Sequence, residues 1–316
     1  GVNTLLVELT PSREPSFYFS AAPDAVPALW QQVRADFPQD KNPLLELAPA
    51  NWFEKDGWFA AQDTKLEQAL HRQNIRGFYA HQAVALDAVR DGHNIVVATG
   101  AASGKSLCYH VPVMEALLHD RTVHALYVFP TKALAQDQLR SLRALSGKEI
   151  PVRAEIFDGD TPSEERSQIK ASAQVLITNP DMLHLGILPN HHSWGRLFRN
   201  LRYVVLDEAH VYRGVFGSHV ANVMRRLRRL CRRYGSAPQF ILCSGTIANP
   251  RELAEALVGL PFTVIDQDGS PFGGKQFLFW NPPLVDEAAS RRKSATSETA
   301  SLFGRLLREG VRTLAF

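Results

Sequence analysis

Two short segments, roughly a hundred residues apart, combine small residues, a lysine and a pair of acids in an order that suggests phosphate chemistry. The first runs from Ala98 to Ser106 and follows Asn94 and the apolar stretch Ile95–Val97. Small residues let backbone N–H groups crowd around phosphate oxygens, and a helix start adds a favourable dipole. This pattern predicts a phosphate-binding loop, although Thr99 stands where the general pattern has glycine.

Each polar residue of this loop has a predicted role. Gly100, Ser103 and Gly104 would present the backbone to phosphate oxygens. Lys105 would reach the β- and γ-phosphates, and the Ser106 hydroxyl would bind Mg²⁺. An ordinary helix start after a turn is the alternative interpretation of the loop taken alone.

The second segment is Tyr203–His210, an apolar run that ends abruptly in two carboxylates. This pattern is typical of a buried parallel strand that is followed by acidic residues at the carboxyl edge of a sheet, where ligands bind in open α/β folds. Asp207 would hold Mg²⁺, directly or through water, and Glu208 would orient and deprotonate an attacking water. Together the two segments predict binding and hydrolysis of a nucleoside triphosphate.

The run Asp-Glu-Ala-His resembles the acidic motif of superfamily 2 helicases, and further segments agree. The resemblance is to the bacterial mitomycin-repair helicases and their fungal RecQ-four-like relatives, and it covers the chain from about residue 66 to the end. The segments that carry it are Phe78–Gln82, Phe129–Gln138, Thr178–His184, Tyr212–Val223, Ser244–Thr246 and Ile247–Pro250. Two positions depart from the family pattern: Ala101 replaces a hydroxyl residue, and Gly245 replaces alanine.

The resemblance assigns further roles near the nucleotide. Gln82 would hold adenine by hydrogen bonds to its N6 and N7 edge, the pairing that amides make with this base. The simpler alternative is a surface glutamine on a first helical turn. His210 would connect the two acids with Ser244 and Thr246, and so couple nucleotide state to nucleic-acid position.

A second set of polar residues follows predicted strands and would meet a nucleic-acid strand that crosses the same edge. Hydroxyls, amides and one lysine suit sugar–phosphate contacts that do not read bases. Helix capping by Thr131 and Asp181 is the alternative. The residues predicted for this contact are Thr131, Lys132, Thr178, Asn179 and Asp181.

Composition limits the possible class of protein less strongly than the motifs do. The 316 residues are 45% hydrophobic, carry a formal charge of +3 and include three scattered cysteines, so neither zinc nor a disulfide framework is indicated. Six arginines between Met224 and Tyr234 are expected on the solvated face of an amphipathic helix, with direct contact to nucleic acid as the alternative. No apolar run approaches the length of a membrane span. We therefore expect a cytoplasmic protein, nucleoid-associated if bacterial.

Strand and helix patterns alternate through most of the chain. Such alternation predicts an α/β fold, a RecA-like lobe with a mostly parallel sheet and helices on both faces. Residues 1–65 are expected to form an irregular N-terminal extension, 66–281 the lobe, and 282–316 a linker and the start of a second lobe. Strands are predicted at about 94–99, 125–129, 152–157, 174–178, 203–207, 239–244 and 262–266, and helices at about 104–118, 132–145, 162–171, 217–234, 250–258 and 296–309.

The function implied by the resemblance is an ATP- and Mg²⁺-dependent DNA helicase or translocase of repair type, moving 3′ to 5′ on single-stranded or partly duplex DNA. An RNA helicase, a P-loop ATPase that switches or assembles without moving, and a mere binding module stay open as alternatives. In two-lobe helicases the second lobe supplies an arginine finger worth about 10³–10⁵ in rate. That lobe is missing from this chain, so residues 1–316 are expected to bind ATP weakly and hydrolyse it negligibly.

Overall fold

The computed structural model describes residues 5–9, 64–148, 150–245, 247–270, 276–280, 284–286, 291–309 and 313. The chain divides into two compact units. The main unit is Glu54–Ser270, and the smaller unit combines Gly1–Phe53 with Pro271–Phe316. All candidate functional residues belong to the main unit.

Eleven strands and ten α-helices are described in these ranges. The strands are β1 (Leu5–Leu9), β2 (Ile95–Ala98), β3 (His124–Val128), β4 (Ala154–Ile156), β5 (Val175–Thr178), β6 (Leu201–Leu206), β7 (Gln239–Ser244), β8 (Thr263–Ile265), β9 (Gln276–Trp280), β10 (Leu284–Asp286) and β11 (Arg291–Arg292). The helices are α1 (Thr64–Arg72), α2 (Ala80–Arg90), α3 (Leu107–His119), α4 (Lys132–Ser146), α5 (Ser163–Ser172), α6 (Pro180–Met182), α7 (Gly195–Asn200), α8 (Gly214–Arg233), α9 (Pro250–Val258) and α10 (Ala295–Arg308).

The main unit is built on one seven-stranded sheet in the order β4-β5-β3-β6-β7-β2-β8. Every neighbouring pair in this sheet is parallel. The seven predicted strands are all present, and their ends differ from the predicted ones by no more than two residues. The prediction of an α/β, RecA-like lobe is therefore confirmed.

Two hydrophobic cores cover the two faces of the sheet, and β6 shows how one strand feeds both. Tyr203 and Val205 belong to the core beneath α3 and α4, whereas Val204 and Leu206 belong to the core beneath α8 and α9. This alternation follows from the two-residue period of a strand. Because both faces are buried, the strand reads as a continuous apolar run instead of an alternating one.

Helix α8 carries the arginine-rich segment in the way that its sequence predicts. Apolar side chains on one face of the helix, including Met224, Leu227 and Cys231, are buried, whereas Val215 and Phe216 in its first turn are exposed. Arg228 turns to the neighbouring helix end and donates to the backbone oxygens of Val258 (2.7 Å) and Gly259 (2.9 Å). At least this arginine therefore caps the carboxyl end of α9.

The smaller unit contains two antiparallel strand pairs, β1 with β9 and β10 with β11, and helix α10. Strand β1 lies within the predicted N-terminal extension, of which residues 1–4 and 10–63 lie outside the described residues. The predicted helix at 296–309 corresponds to α10. In the segment expected to start a second lobe, residues 310–312 and 314–316 lie outside the described residues. No helix in the described ranges is long and apolar enough to cross a bilayer.

His110 on α3 gives the fold a predictable acid sensitivity. Burial lowers the pKa of its imidazole from 6.5 to about 3. Below pH 6.5 this imidazole is therefore protonated in the unfolded chain but stays neutral in the folded chain. The free energy of unfolding falls as pH drops from 6.5 towards 3. At one pKa unit per 1.36 kcal/mol, the full loss is on the order of 5 kcal/mol.

We expect His110→Gln to flatten the fall in unfolding free energy between pH 6.5 and 4, because an amide does not titrate. Denaturant unfolding at several pH values measures this, with His219→Gln on the exposed face of α8 as the control. A pH dependence equally steep in wild type and His110→Gln would contradict the assignment.

Candidate active site

The parallel sheet brings the two chemical segments to one edge. Strands β2 and β6 both pair with β7, so a single strand separates the loop after β2 from the acids after β6. Neighbouring strands lie about 4.8 Å apart, which puts the two segments about 10 Å apart at their carboxyl ends. That gap suits a polyphosphate and a metal ion.

The loop after β2 is held by its own side chains. The hydroxyls of Thr99 and Ser103, both buried, lie 2.7 Å apart and share a hydrogen bond. This contact explains how threonine replaces the expected glycine, since its side chain closes the loop from within. Ala102 and Gly104 both adopt positive φ, +58° and +77°, so the turn depends on left-handed backbone at two positions.

Lys105 and Ser106 follow the turn and lead into α3. The Lys105 ammonium group donates to the carbonyl oxygens of Thr99 (3.1 Å) and Gly100 and so lies across the loop. Ser106 is half-buried at the N-cap position of α3, and its hydroxyl makes no capping hydrogen bond. The charge of Lys105 is therefore occupied by the loop's own carbonyls, and the Ser106 hydroxyl takes no part in capping.

Gln82 connects the start of α2 with the phosphate loop. Its side-chain carbonyl accepts from the backbone N–H of Tyr79 (2.9 Å), and its amide donates to the carbonyl of Gly104 (2.9 Å). The side chain is buried. Gln82 in its present position therefore links α2 to the loop, and one amide hydrogen and one carbonyl lone pair remain for the predicted contact with adenine.

Asp207 lies at the end of β6 with two donors on its carboxylate. The Tyr109 hydroxyl is 3.0 Å from Oδ2, and the backbone N–H of Glu208 donates to Oδ1 at 2.8 Å. Removal from water raises the pKa of this carboxyl above its ordinary value, while the two donors act in the opposite direction. A carboxylate that is short of compensating charge fits a site for a cation, and the Ser106 hydroxyl offers the second oxygen of the predicted Mg²⁺ site.

Glu208 has a left-handed backbone, with φ 50° and ψ 43°. Its carboxylate lies 3.2 Å from Nδ1 of His210. The same nitrogen lies 3.4 Å from the Ser244 hydroxyl and 3.3 Å from the Gly245 backbone nitrogen. It accepts from Gly245 when it carries no hydrogen, and it donates to Glu208 when it carries one, so the two bonds are alternatives. His210 therefore joins the predicted base to the end of β7, the arrangement expected for coupling. Thr246, the other predicted coupling residue, lies outside the described residues.

The residues predicted to contact nucleic acid differ from one another in the contacts that they make. Thr131 caps α4 by accepting from the Leu134 N–H (3.3 Å), and exposed Lys132 pairs with exposed Asp160. Asn179, instead of the expected Asp181, caps α6 by accepting from the Met182 N–H (2.8 Å), and Asp181 is exposed.

Thr178 is the exception in this set. Its side chain is buried, and its hydroxyl donates to the Phe157 carbonyl (2.7 Å), which ties β5 to the end of β4. In this position the hydroxyl does not face the edge of the sheet. A nucleic-acid contact there would fall to Thr131, Lys132, Asn179 and Asp181.

Three residues at the site were missed from the sequence. Asp268 accepts from the Gly100 N–H at 2.9 Å and lies 3.7 Å from His81, so it holds the start of the phosphate loop. Tyr109 and Gln138 meet beside Asp207. Only the strand order, which places β8 next to β2 and β3 next to β6, could have pointed to them.

Comparisons with known proteins agree with this geometry. A family model described as DEAD/DEAH box helicase matches residues 79–254. The chain is 48% identical over 255 residues to "Uncharacterized ATP-dependent helicase YprA" of Bacillus subtilis, covering 80% of this chain and 34% of that protein. It is 42% identical over 255 residues to "ATP-dependent helicase HRQ1" of Saccharomyces cerevisiae, covering 79% of this chain and 23% of that protein.

A solved structure is also similar. The DUF1998 helicase MrfA bound to DNA and AMPPNP matches with a TM-score of 0.78 and 41% identity, covering 89% of this chain and 39% of that one. The resemblance predicted from the motifs is confirmed. The chain spans about a third or less of the length of the curated relatives named here.

Two glycines of the site make a matched pair for testing the loop geometry. At Gly104 a Cβ would lie 2.5 Å from the Gln82 amide nitrogen and the φ is +77°, whereas at Gly245 the nearest atoms, of His210, are 3.8 Å away. We expect Gly104→Ala to cost about 1–2 kcal/mol of unfolding free energy and to weaken nucleotide binding. Gly245→Ala, which restores the family's residue, should stay within about 0.5 kcal/mol. Denaturant unfolding and nucleotide titration measure both, and equal effects of the two substitutions would contradict the geometry.

Proposed function

Because the chain belongs to the DEAD/DEAH box helicase family, we propose that it is the ATP-binding lobe of a superfamily 2 DNA helicase. The observation that supports this best is the contact of Glu208 with His210, and of His210 with Ser244, at the edge that also holds the phosphate loop. A predicted base for hydrolysis is thereby tied to a neighbouring strand end. An ATPase that only binds or switches has no evident need for that tie.

The residues of the chain divide the work at the nucleotide. Bound ATP with Mg²⁺ would supply the phosphoanhydride bond that is hydrolysed. Lys105 would leave the loop carbonyls and compensate phosphate charge, and the oxygens of Ser106 and Asp207 would hold the ion. Glu208 would accept the proton of the attacking water at its carboxylate, and His210 would hold that carboxylate in place.

Nucleic acid is proposed to cross the same edge at the starts of α4 and α6. Thr131, Lys132, Asn179 and Asp181 lie there. The hydroxyl, ammonium and amide groups suit sugar–phosphate contacts, whereas the Asp181 carboxylate only accepts hydrogen bonds and would repel a phosphate. DNA is favoured over RNA because the MrfA structure contains DNA at 41% identity. With few cationic contacts from one lobe, binding should be weak and salt-sensitive. Repair as the biological role rests on the resemblance to mitomycin-repair helicases.

Paired substitutions at Lys105 and Glu208 test the assignment. Lys105→Ala removes the charge that faces the phosphates, so titration of this chain with Mg·AMPPNP should show at least tenfold weaker binding. Glu208→Gln keeps shape and hydrogen bonding but loses the base, so binding should persist within about twofold. In a two-lobe protein that contains this chain, Glu208→Gln should reduce ATP hydrolysis by about 10²-fold or more.

The outcomes separate the alternatives. Unchanged nucleotide affinity in Lys105→Ala would refute the phosphate-loop assignment, and near wild-type hydrolysis in Glu208→Gln would require another base. Stimulation of the two-lobe protein by single-stranded DNA supports the helicase proposal. Preference for RNA would indicate an RNA helicase, and no stimulation would indicate a switch or assembly ATPase.

A further inference from the structure

Tyr109 occupies a position that packing alone does not explain. It lies on the first turn of α3, three residues after Ser106, and its side chain is fully buried. Its hydroxyl is 3.0 Å from Asp207 Oδ2 and 2.9 Å from Gln138 Oε1. A phenylalanine would fill nearly the same volume, so packing does not explain why this side chain carries a hydroxyl group.

The hydroxyl has one hydrogen and faces two acceptors. A phenol donates one hydrogen bond at a time, so Asp207 and Gln138 compete for it. A buried polar group without a partner is costly, which means that the hydrogen stays with one acceptor or the other. Two discrete arrangements follow: in one, the hydroxyl fixes the Asp207 carboxylate, and in the other, it is turned to Gln138.

The second acceptor leads away from the nucleotide. Gln138 is half-buried on α4, whose N-cap is Thr131 and whose first residue is Lys132. Seven residues separate Gln138 from the cap, about 10 Å along the helix. Because a helix moves as a rigid element, a displacement of its start by nucleic acid would change the distance between Gln138 and Tyr109.

We propose that Tyr109 is a positioning residue that orients the Asp207 carboxylate for the metal ion, and that Gln138 withdraws this hydrogen bond in response to the position of α4. The inference rests on the proposed function, since it needs a metal ion at Asp207 and nucleic acid at the start of α4. By reciprocity, nucleic acid would change the affinity for Mg·nucleotide by the same factor as the nucleotide changes the affinity for nucleic acid.

Another tyrosine in the same core provides a matched control. Tyr127 is also fully buried, and its ring centre lies 5.3 Å from that of Tyr109. Its hydroxyl lies 3.3 Å from His110 Nδ1 instead of contacting the site. Tyr127→Phe therefore removes the same atom from the same core without touching Asp207 or Gln138.

The test is the Mg²⁺ concentration that half-saturates AMPPNP binding to the 316-residue chain, with and without a single-stranded DNA oligonucleotide. Loss of a partner that orients a metal-binding carboxylate commonly costs 10-fold or more in metal affinity. We expect Tyr109→Phe to raise this concentration about tenfold and to abolish its response to DNA. AMPPNP affinity in EDTA should stay unchanged, and Tyr127→Phe should stay within twofold of wild type throughout.

Gln138→Leu gives the complementary result. It removes the competing acceptor, so without DNA the half-saturating Mg²⁺ concentration should be equal to or below that of wild type, and it should no longer shift when DNA is added. A merely structural role for these residues would instead weaken both variants alike and lower AMPPNP affinity in EDTA as well. Thermal unfolding of each variant shows whether it is folded, and Gln138→Leu decides the matter if Tyr109→Phe is not.

The results that overturn the inference are specific. A Tyr109→Phe value within twofold of Tyr127→Phe refutes the positioning role. A wild-type value that does not respond to DNA, or a Gln138→Leu value that still does, refutes the coupling. Lys105→Ala in the same assay separates these failures from failure of the proposed function, because unchanged AMPPNP binding in that variant refutes the nucleotide site itself.

Discussion

Parallel pairing of β2, β7 and β6 is the constraint on which the rest of the main unit depends. Parallel strands all end at one edge, and that edge here receives the phosphate loop, Ser244 and the Asp207–Glu208 pair. Burial of both faces fixes the register, since a shift by one residue would exchange the two cores. The hydrophobic effect that stabilises the sheet therefore also fixes the distance between the loop after β2 and the acids after β6.

Left-handed backbone conformations at a few residues also shape the candidate active site. Glu208 and Ala102 both lie in the left-handed region without being glycine, and Gly104 joins them there. For residues other than glycine, such a conformation costs of order 1–3 kcal/mol and persists only where the surroundings determine it. At Glu208 the backbone N–H bond to Asp207 and the side-chain contact with His210 provide those surroundings. Both strained non-glycine sites within this edge belong to the candidate active site.

The sequence predicts the parts that depend on local pattern. Apolar runs identify the seven strands, and small residues followed by Gly104-Lys105-Ser106 identify the loop. It fails where a side chain's partner depends on strand order. The sequence predicts that Thr178 contacts nucleic acid, but its hydroxyl is buried and donates to the Phe157 carbonyl because β4 pairs with β5. Asp268 is 168 residues from the Gly100 N–H that it accepts from, and no local pattern links them.

The cap of α6 is another feature that local sequence does not predict and that the sheet determines. Both Asn179 and Asp181 flank Pro180, and either could cap a helix by composition alone. The choice of Asn179 follows from where β5 ends, one residue earlier. The cap in turn leaves Asp181 exposed at the edge. A position that is ambiguous in the sequence thus becomes definite once the sheet fixes the strand end.

We propose above all that the loop after β2 and the acids after β6 form one Mg·nucleotide site. Amide hydrogen exchange of the 316-residue chain, with and without Mg·AMPPNP, tests this most directly. The account predicts slower exchange in both segments, residues 99–107 and 207–211, and less protection when AMPPNP is added in EDTA. Protection that appears in neither segment, or only elsewhere in the chain, would contradict it.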